Sequence, residues 1–332
     1  MCEQQYFLEY ILGFRCPSNQ KADKGTIVHK VLEILAFIKQ AQQDNIENIV
    51  DNIVGKIDIA SYNVEHLSNL VYEYYSTANS HHKWVDKDRI DCYNWVQKAI
   101  SFNNGMFDPR NREIVCPEQK FDFEIKKPWA QYSYDTPDGK LDGCLALKGT
   151  IDLITKVNDS TLEIIDWKTG KRLDWATGQP KTLEKLQNDP QLRIYHYAIQ
   201  HLYPEIEQII VTIDFINDGG PFSICYDRSD LLVTENMLRA KFDKIKASQK
   251  PKLSKSWKCS KLCHFGKSTF ENTKILPIIE YRDGHTTANG KCMTKCEQVH
   301  HDMQMHGMET VIDQYKDSKH SFGFYKAPGE ID

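Results

Sequence analysis

The stretch Gly149–Gly170, GTIDLITKVNDSTLEIIDWKTG, holds two short apolar runs, each interrupted by one aspartate, Asp152 and Asp166, with Lys168 two residues after the second. A strand packed on a core normally offers an apolar residue at such positions. The runs are separated by VNDST, whose Asn and Asp suit a turn, so the segment reads as a β-hairpin. Facing residues in a hairpin have a constant index sum. A three-residue loop, Asn158-Asp159-Ser160, sets that sum at 318 and puts Asp152 opposite Asp166, whereas a two-residue loop, Asn158-Asp159, gives 317 and separates them. The expectation is a three-residue loop or a bulge, with both acids on one face about 5 Å apart at Cβ. Lys168 joins them by the two-residue period.

Two carboxylates at that distance repel by roughly 3 kcal/mol at an effective dielectric of about 20. Lys168 is one available counter-ion; a hard divalent cation with oxygen ligands answers both acids at once. Taken without its neighbours, the pair also fits two solvent-facing aspartates on an edge hairpin.

Around this hairpin the pattern alternates between helix and strand. Residues 3–14 read as a short amphipathic helix. After the punctuated RCPSNQKADKG, TIVHKVLEILAFIKQAQ has helical spacing at Ile27, Val28, Val31, Leu32, Leu35 and Ile38. Helices are expected across 60–78 and 85–104, strands near 112–125, 140–157 and 161–167, a helix on PQLRIYHYAIQHLYP, two more strands, and a basic helix over 230–248. The fold class is α/β, with a small mixed central sheet flanked by helices and a Cys-rich C-terminal region. The domain reading is a core over 1–250, its N-terminal part helical, and a region over 251–332 that packs back on the N-terminus.

With 332 residues and 27% charged residues, the composition is that of an ordinary globular protein. No run is long and apolar enough to span a membrane, no signal-peptide layout opens the chain, and the expected location is cytoplasmic, in a bacterium or a phage-infected host. A net charge of -4 excludes a wholly basic nucleic-acid binder. Local clustering remains: ten basic residues and one acid, Asp243, lie between Arg239 and Lys267. That run fits a solvated helix face with a polar loop as well as it fits a phosphate-contacting surface.

GTIDLI, IIDWKTG, an upstream GTIVH and a downstream QLRIY together resemble the RecB-type branch of the PD-(D/E)XK nuclease superfamily, which includes CRISPR-associated adaptation nucleases and many phage exonucleases. The resemblance runs from about Cys2 to Tyr197 and implies a restriction-endonuclease-like core. It implies that His29, Asp152, Asp166 and the backbone carbonyl of Trp167 ligate Mg²⁺ or Mn²⁺, with Glu33 one turn on from His29. Lys168 would orient the attacking water and steady charge at phosphorus. Gln191 and Tyr195 would line the site and contact the DNA backbone, although their spacing equally fits an amphipathic helix packed on the sheet. Glu118 would be a secondary carboxylate. Taken alone, His29 reads as a satisfied histidine at a helix start.

RecB-type nucleases often carry an iron–sulfur cluster on one Cys ahead of the core and three near the C-terminus. The resemblance implies a [4Fe-4S] cluster on Cys2, Cys259, Cys263 and Cys296, with Cys292 as an alternative ligand. The Cys-x3-Cys pairs Cys259/Cys263 and Cys292/Cys296 suit tetrahedral Zn²⁺ as well. A ligand one residue after Met1 suggests that the chain begins late or has been clipped. Cys16, Cys92, Cys116, Cys144 and Cys225 are expected in the core.

The combined expectation is a metal-dependent DNA exonuclease acting on single-stranded ends in replication, recombination or repair. Lys171, Arg172, Lys252, Lys255, Trp257 and Lys258 would contact DNA, with Trp257 and Phe265 as a stacking surface. Candidate partners are a helicase, a recombinase or a single-strand-binding protein. The rival readings are a structure-selective endonuclease and a non-catalytic nucleic-acid-binding subunit of a helicase–nuclease complex.

Overall fold

A computed structural model describes residues 2–14, 18–136, 139–174, 177–248, 250–266 and 294–316. The chain divides into two compact units, one over Gln20–Lys246 and one built from Met1–Asn19 with Ala247–Asp332.

In the larger unit, helix α2 (Gln20–Gln43) buries Ile27, Val28, Val31, Leu32, Leu35 and Ile38 completely, as the spacing predicts. It begins earlier than the apolar run and passes straight through Gly25. A Cβ there would lie 2.8 Å from Thr169 Oγ1, so glycine lets the helix approach the loop that follows DWK. Helices α3 (Val64–Ala78) and α4 (Asp86–Ser101) pack on α2. Between α2 and α3 the chain forms a hairpin absent from the sequence reading, β1 (Asn48–Asp51) with β2 (Gly55–Asp58), whose turn is held by Ile53 and Val54 N–H groups donating to Asp51.

The central sheet contains β3 (Glu113–Glu124), β6 (Ala146–Asn158), β7 (Thr161–Lys168), β8 (Gln208–Phe215) and β9 (Gly220–Asp227), in the order β3-β6-β7-β8-β9. Only the β7–β8 pairing is parallel among these neighbours. The single long strand expected over 140–157 is broken at Leu145. Its first part, β5 (Gly139–Cys144), turns away to pair with β4 (Gln131–Thr136).

The hairpin that decides the fold keeps the index sum of 318 through Leu153–Ile165, Ile154–Ile164, Thr155–Glu163 and Lys156–Leu162. A bulge at Val157 then pairs Asn158 with Thr161 and leaves Asp159-Ser160 as the loop, so the bulge, not a three-residue loop, sets the register. The strand β7 is no edge. Every residue from Thr161 to Trp167 is buried, because β6 and β8 flank it and helices cover both faces. On one face Leu153, Ile165 and Trp167 pack with α2, α3 and α4. On the other, Ile154, Ile164 and Ile213 pack with α5 (Leu183–Gln187) and α6 (Pro190–Leu202) on the β7–β8 crossover, and α7 (Asp230–Ala247) adds Leu238.

In the smaller unit, α1 (Glu3–Tyr6) continues into a π-helical turn over Phe7–Ile11. Phe7, Leu8, Leu12 and Phe14 form a core with Phe265, Val299, Met303 and Val311. The other described helices of this unit are α8 (Trp257–Lys261), α9 (Lys295–His306) and α10 (Met308–Lys316). Phe265 is a core residue set edge-on to Phe14, which corrects its assignment to a stacking surface.

Candidate active site

The third and fourth turns of α2 present His29, Lys30 and Glu33 at the end of the sheet. The β6–β7 ladder stops at Leu153–Ile165, and beyond it the Trp167 N–H donates to Asp152 Oδ2 at 3.0 Å. His29 Nδ1 lies 3.3 Å from the same oxygen. Asp166 is 1% exposed and held from three directions. The Lys168 ammonium lies 2.9 Å from Oδ1 and 2.7 Å from Oδ2. From α6, Tyr195 Oη and Gln191 Nε2 lie 3.4 and 3.5 Å from Oδ1, and Gln191 Nε2 donates to Tyr195 Oη at 2.7 Å. Burial raises the Asp166 carboxyl above the usual range; Asp152 adds to that rise, and Lys168 and His29 oppose it. Burial, and next the charge of Asp166, likewise pushes the Tyr195 phenol up.

The two aspartates therefore meet, but not as neighbours on one face. Asp152 touches His29 of α2, whereas Asp166 touches Gln191 and Tyr195 of α6. The cause is a change of parity in β6. Leu147 and Ile151 face the α6 side, as does Ile154, while Leu153 faces α2. Strict alternation cannot put both Ile151 and Ile154 on one side, so the backbone switches at Asp152. Across from it on β3, Glu118 has a positive φ of 48°, a left-handed conformation unusual for a non-glycine residue in a strand.

A cleft of about 440 Å³ opens here, lined by His29, Lys30, Glu33, Glu118, Asp152 and Lys168 among others. Burial, then the charges of Asp152 and Glu33, pushes the Glu118 carboxyl up to about 7. Glu33 is raised by burial against the pull of Lys30. Lys30 reaches Glu33 Oε1 and Asp51 Oδ2, both at 2.7 Å, so the β1–β2 hairpin is tied into the cleft wall. Sequence reasoning missed Lys30 and Asp51. Lys30 sits three residues before Glu33 on one helix, a legible pairing, but nothing local marks Asp51.

The donor chemistry suits a hard divalent cation: one imidazole nitrogen and carboxylates that lift one another's affinity for protons. As the side chains stand, no three His, Cys, Asp or Glu among the described residues are grouped closely enough to hold a metal. Asp166 is turned onto Lys168, which occupies the charge a cation would take.

Of the expected DNA contacts, Arg172 is engaged within the protein. Its N–H donates to Asp218 at 2.7 Å, its Nη1 to the Lys181 carbonyl at 2.9 Å, and its guanidinium covers the Phe222 ring at 4.2 Å. Lys171 is exposed. The basic run is split. Arg239 to Lys246 lie on α7 in the larger unit, where Arg239 and Lys246 share Asp243, and the rest falls in the smaller unit. There Lys255 pairs with Glu297 at 2.6 Å, while Trp257 remains 53% exposed with Lys258 Nζ 6.0 Å from its ring.

The thiols of Cys2 and Cys259 act electrostatically on both Cys263 and Cys296, but no three of the four are grouped closely enough to hold a metal as they stand. Burial first, then Cys2, Cys263 and Cys259, pushes Cys296 up to about 12. Cys2 Sγ accepts the Gln5 N–H at 3.3 Å and Cys259 Sγ the Ser256 N–H at 3.4 Å, and the Phe265 and Gly266 N–H groups point at Cys263. Cys292 and Cys16 lie outside the described residues. Of the thiols expected in the core, Cys92 is buried, Cys116 and Cys144 are half-buried, and Cys225 is exposed.

A mixed sheet whose central strand ends in Asp-Trp-Lys, beside a second aspartate and a helix-borne histidine, defines the class of metal-dependent nucleases. The chain belongs to the PD-(D/E)XK nuclease superfamily, whose family model matches residues 1–267. Members hydrolyse nucleic acid and typically use Mg²⁺ or Mn²⁺. No curated protein matches the chain. No helix among the described residues is long and apolar enough to cross a membrane.

Proposed function

We propose that the protein is a Mg²⁺- or Mn²⁺-dependent DNA exonuclease working from single-stranded ends in replication, recombination or repair. The observation that carries this reading is the convergence of His29 from α2, Asp152 from β6, and Asp166 and Lys168 from β7 at the end of one sheet. His29, Asp152, Asp166 and the Trp167 carbonyl would hold the cation. When bound, it would bring the pKa of its water toward neutrality and draw charge from the scissile phosphate. With that charge in place, Lys168 would have its ammonium free for the attacking water and a phosphate oxygen. Gln191 and Tyr195 keep the Asp166 carboxylate from turning away.

End-labelled single-stranded, duplex and circular DNA, incubated with either cation, tests this reading. Wild type should shorten linear single strands, and Asp166→Ala and Lys168→Ala should not. Intact substrates throughout would end the nuclease reading, and cut circles would turn it into an endonuclease.

The same proposal assigns a [4Fe-4S] cluster to Cys2, Cys259, Cys263 and Cys296. What supports it is that Cys2, Cys263 and Cys259 act electrostatically on Cys296 and that backbone N–H groups face Cys2, Cys259 and Cys263; as the side chains stand, no three of these thiols are close enough together to hold a metal. Four bound irons and an absorbance band at about 400 nm are expected; colourless protein holding zinc would replace the cluster with a structural Zn²⁺ site.

A further inference from the structure

Tyr6 and Tyr10 lie one helical turn apart where α1 runs into the π-helical turn. Their rings stack at 5.0 Å between centroids and 25° between planes. They are nevertheless 53% and 62% exposed, although Phe7, Leu8 and Leu12 beside them are buried in the core of the smaller unit. The chain thus spends two large aromatic side chains on the solvent side of a helix, at an irregularity of the kind found at functional sites.

The surroundings indicate what the rings are for. Glu3, three residues before Tyr6, accepts the Lys252 N–H at 3.0 Å, which seats the segment from Lys252 to Lys261 against the start of α1. That segment carries Lys252, Lys255, Lys258 and Lys261 and the half-exposed Trp257. The acids on this helix are Glu3 and Glu9. Glu3 is used by the Lys252 backbone, and Glu9 accepts from Gln5 Nε2 at 2.9 Å. Exposed aromatic faces beside a lysine-rich strip are the two components by which unpaired strands are gripped: bases stack on rings while cations follow the phosphates. A duplex offers its base faces only at its ends, so the rings find their full complement in an unpaired strand.

We infer that the Tyr6–Tyr10 stack, with Trp257 and its lysines, is a base-stacking site through which the smaller unit holds single-stranded nucleic acid. This rests on the nuclease reading and names its substrate form.

Fluorescence anisotropy with labelled oligothymidylate and a blunt duplex tests it. The parent is Asp166→Ala with its cysteine site intact, so that no DNA is consumed. Tyr6→Ala/Tyr10→Ala should weaken oligothymidylate binding at least tenfold. It should leave duplex binding and the salt slope in place, because no charge is removed. Tyr6→Phe/Tyr10→Phe should bind as the parent does, and the single change Tyr10→Ala, at the more exposed ring, gives an intermediate loss with an unchanged melting temperature. Unchanged oligothymidylate affinity in the alanine pair, an equal loss on the duplex, or a loss in the phenylalanine pair would overturn the inference. Failure of wild type to hydrolyse DNA would sink the nuclease reading alone, since binding is measured without hydrolysis.

Discussion

Asp166 shows how a buried acid is kept tolerable before any cation arrives: Lys168 spans both its oxygens. Replacing Lys168 with Met leaves that carboxyl without its counter-ion. Because the lysine is partly open to solvent, the cost should be nearer about 2 kcal/mol than the full value for a buried pair, as read by urea unfolding in metal-free buffer, and Mn²⁺ should restore part of it. Glu118 supplies a pH prediction. Burial, with Asp152 and Glu33, raises its folded pKa from the ordinary 4.5 to about 7. The native state therefore binds the extra proton, and metal-free stability should fall as pH rises between those values. With solvent screening the fall is on the order of 1 kcal/mol, and Glu118→Gln should flatten it. Asp152, Asp166 and Lys168 could be read from one hairpin, and His29 and Glu118 only through the resemblance. Lys30 stands three residues before Glu33, whereas Asp51 joins the cleft across a separation that only the folded chain closes.

At the scale of elements, the hairpin register was readable because a bulge at Val157 preserves the index sum. The parity change at Asp152 was not, since its sign is a backbone angle at Glu118, on another strand. A left-handed φ at a non-glycine residue costs about 1–3 kcal/mol. Glu118→Gly should recover about 1 kcal/mol of that in thermal unfolding, whereas Glu118→Val should lose stability. The contact of α2 with the β7 loop gives a sharper test. Gly25→Ala gains helix propensity of about 1 kcal/mol but sets a methyl 2.8 Å from Thr169 Oγ1, next to Lys168. Unfolding should stay near wild type while kcat drops at least tenfold, because small displacements of a reacting group are costly. The β1–β2 hairpin escaped the sequence reading because its runs are short, and β5 was read as the start of a longer strand because nothing local marks its turn away to β4.

On the scale of the whole molecule, the described residues of the smaller unit place nine buried side chains, Cys296 among them, in its core. A structural metal binding only the folded state would add to that core's stability. If the proposed cluster forms there, Cys296→Ser should split calorimetric unfolding into two transitions, the earlier one exposing Met1–Asn19 and the segment after Ala247 to protease. The order of synthesis gives this discontinuous unit a further meaning. Cys2 is made before Gln20–Lys246, whereas its proposed partners Cys259, Cys263 and Cys296 follow only after the whole of that segment. At about 5–20 residues per second that wait is roughly 10–45 s. A chain terminated before Cys259 would still hold the sheet that carries the acids, yet could not close the proposed cysteine site, so loading of the proposed cluster would report synthesis past Cys296.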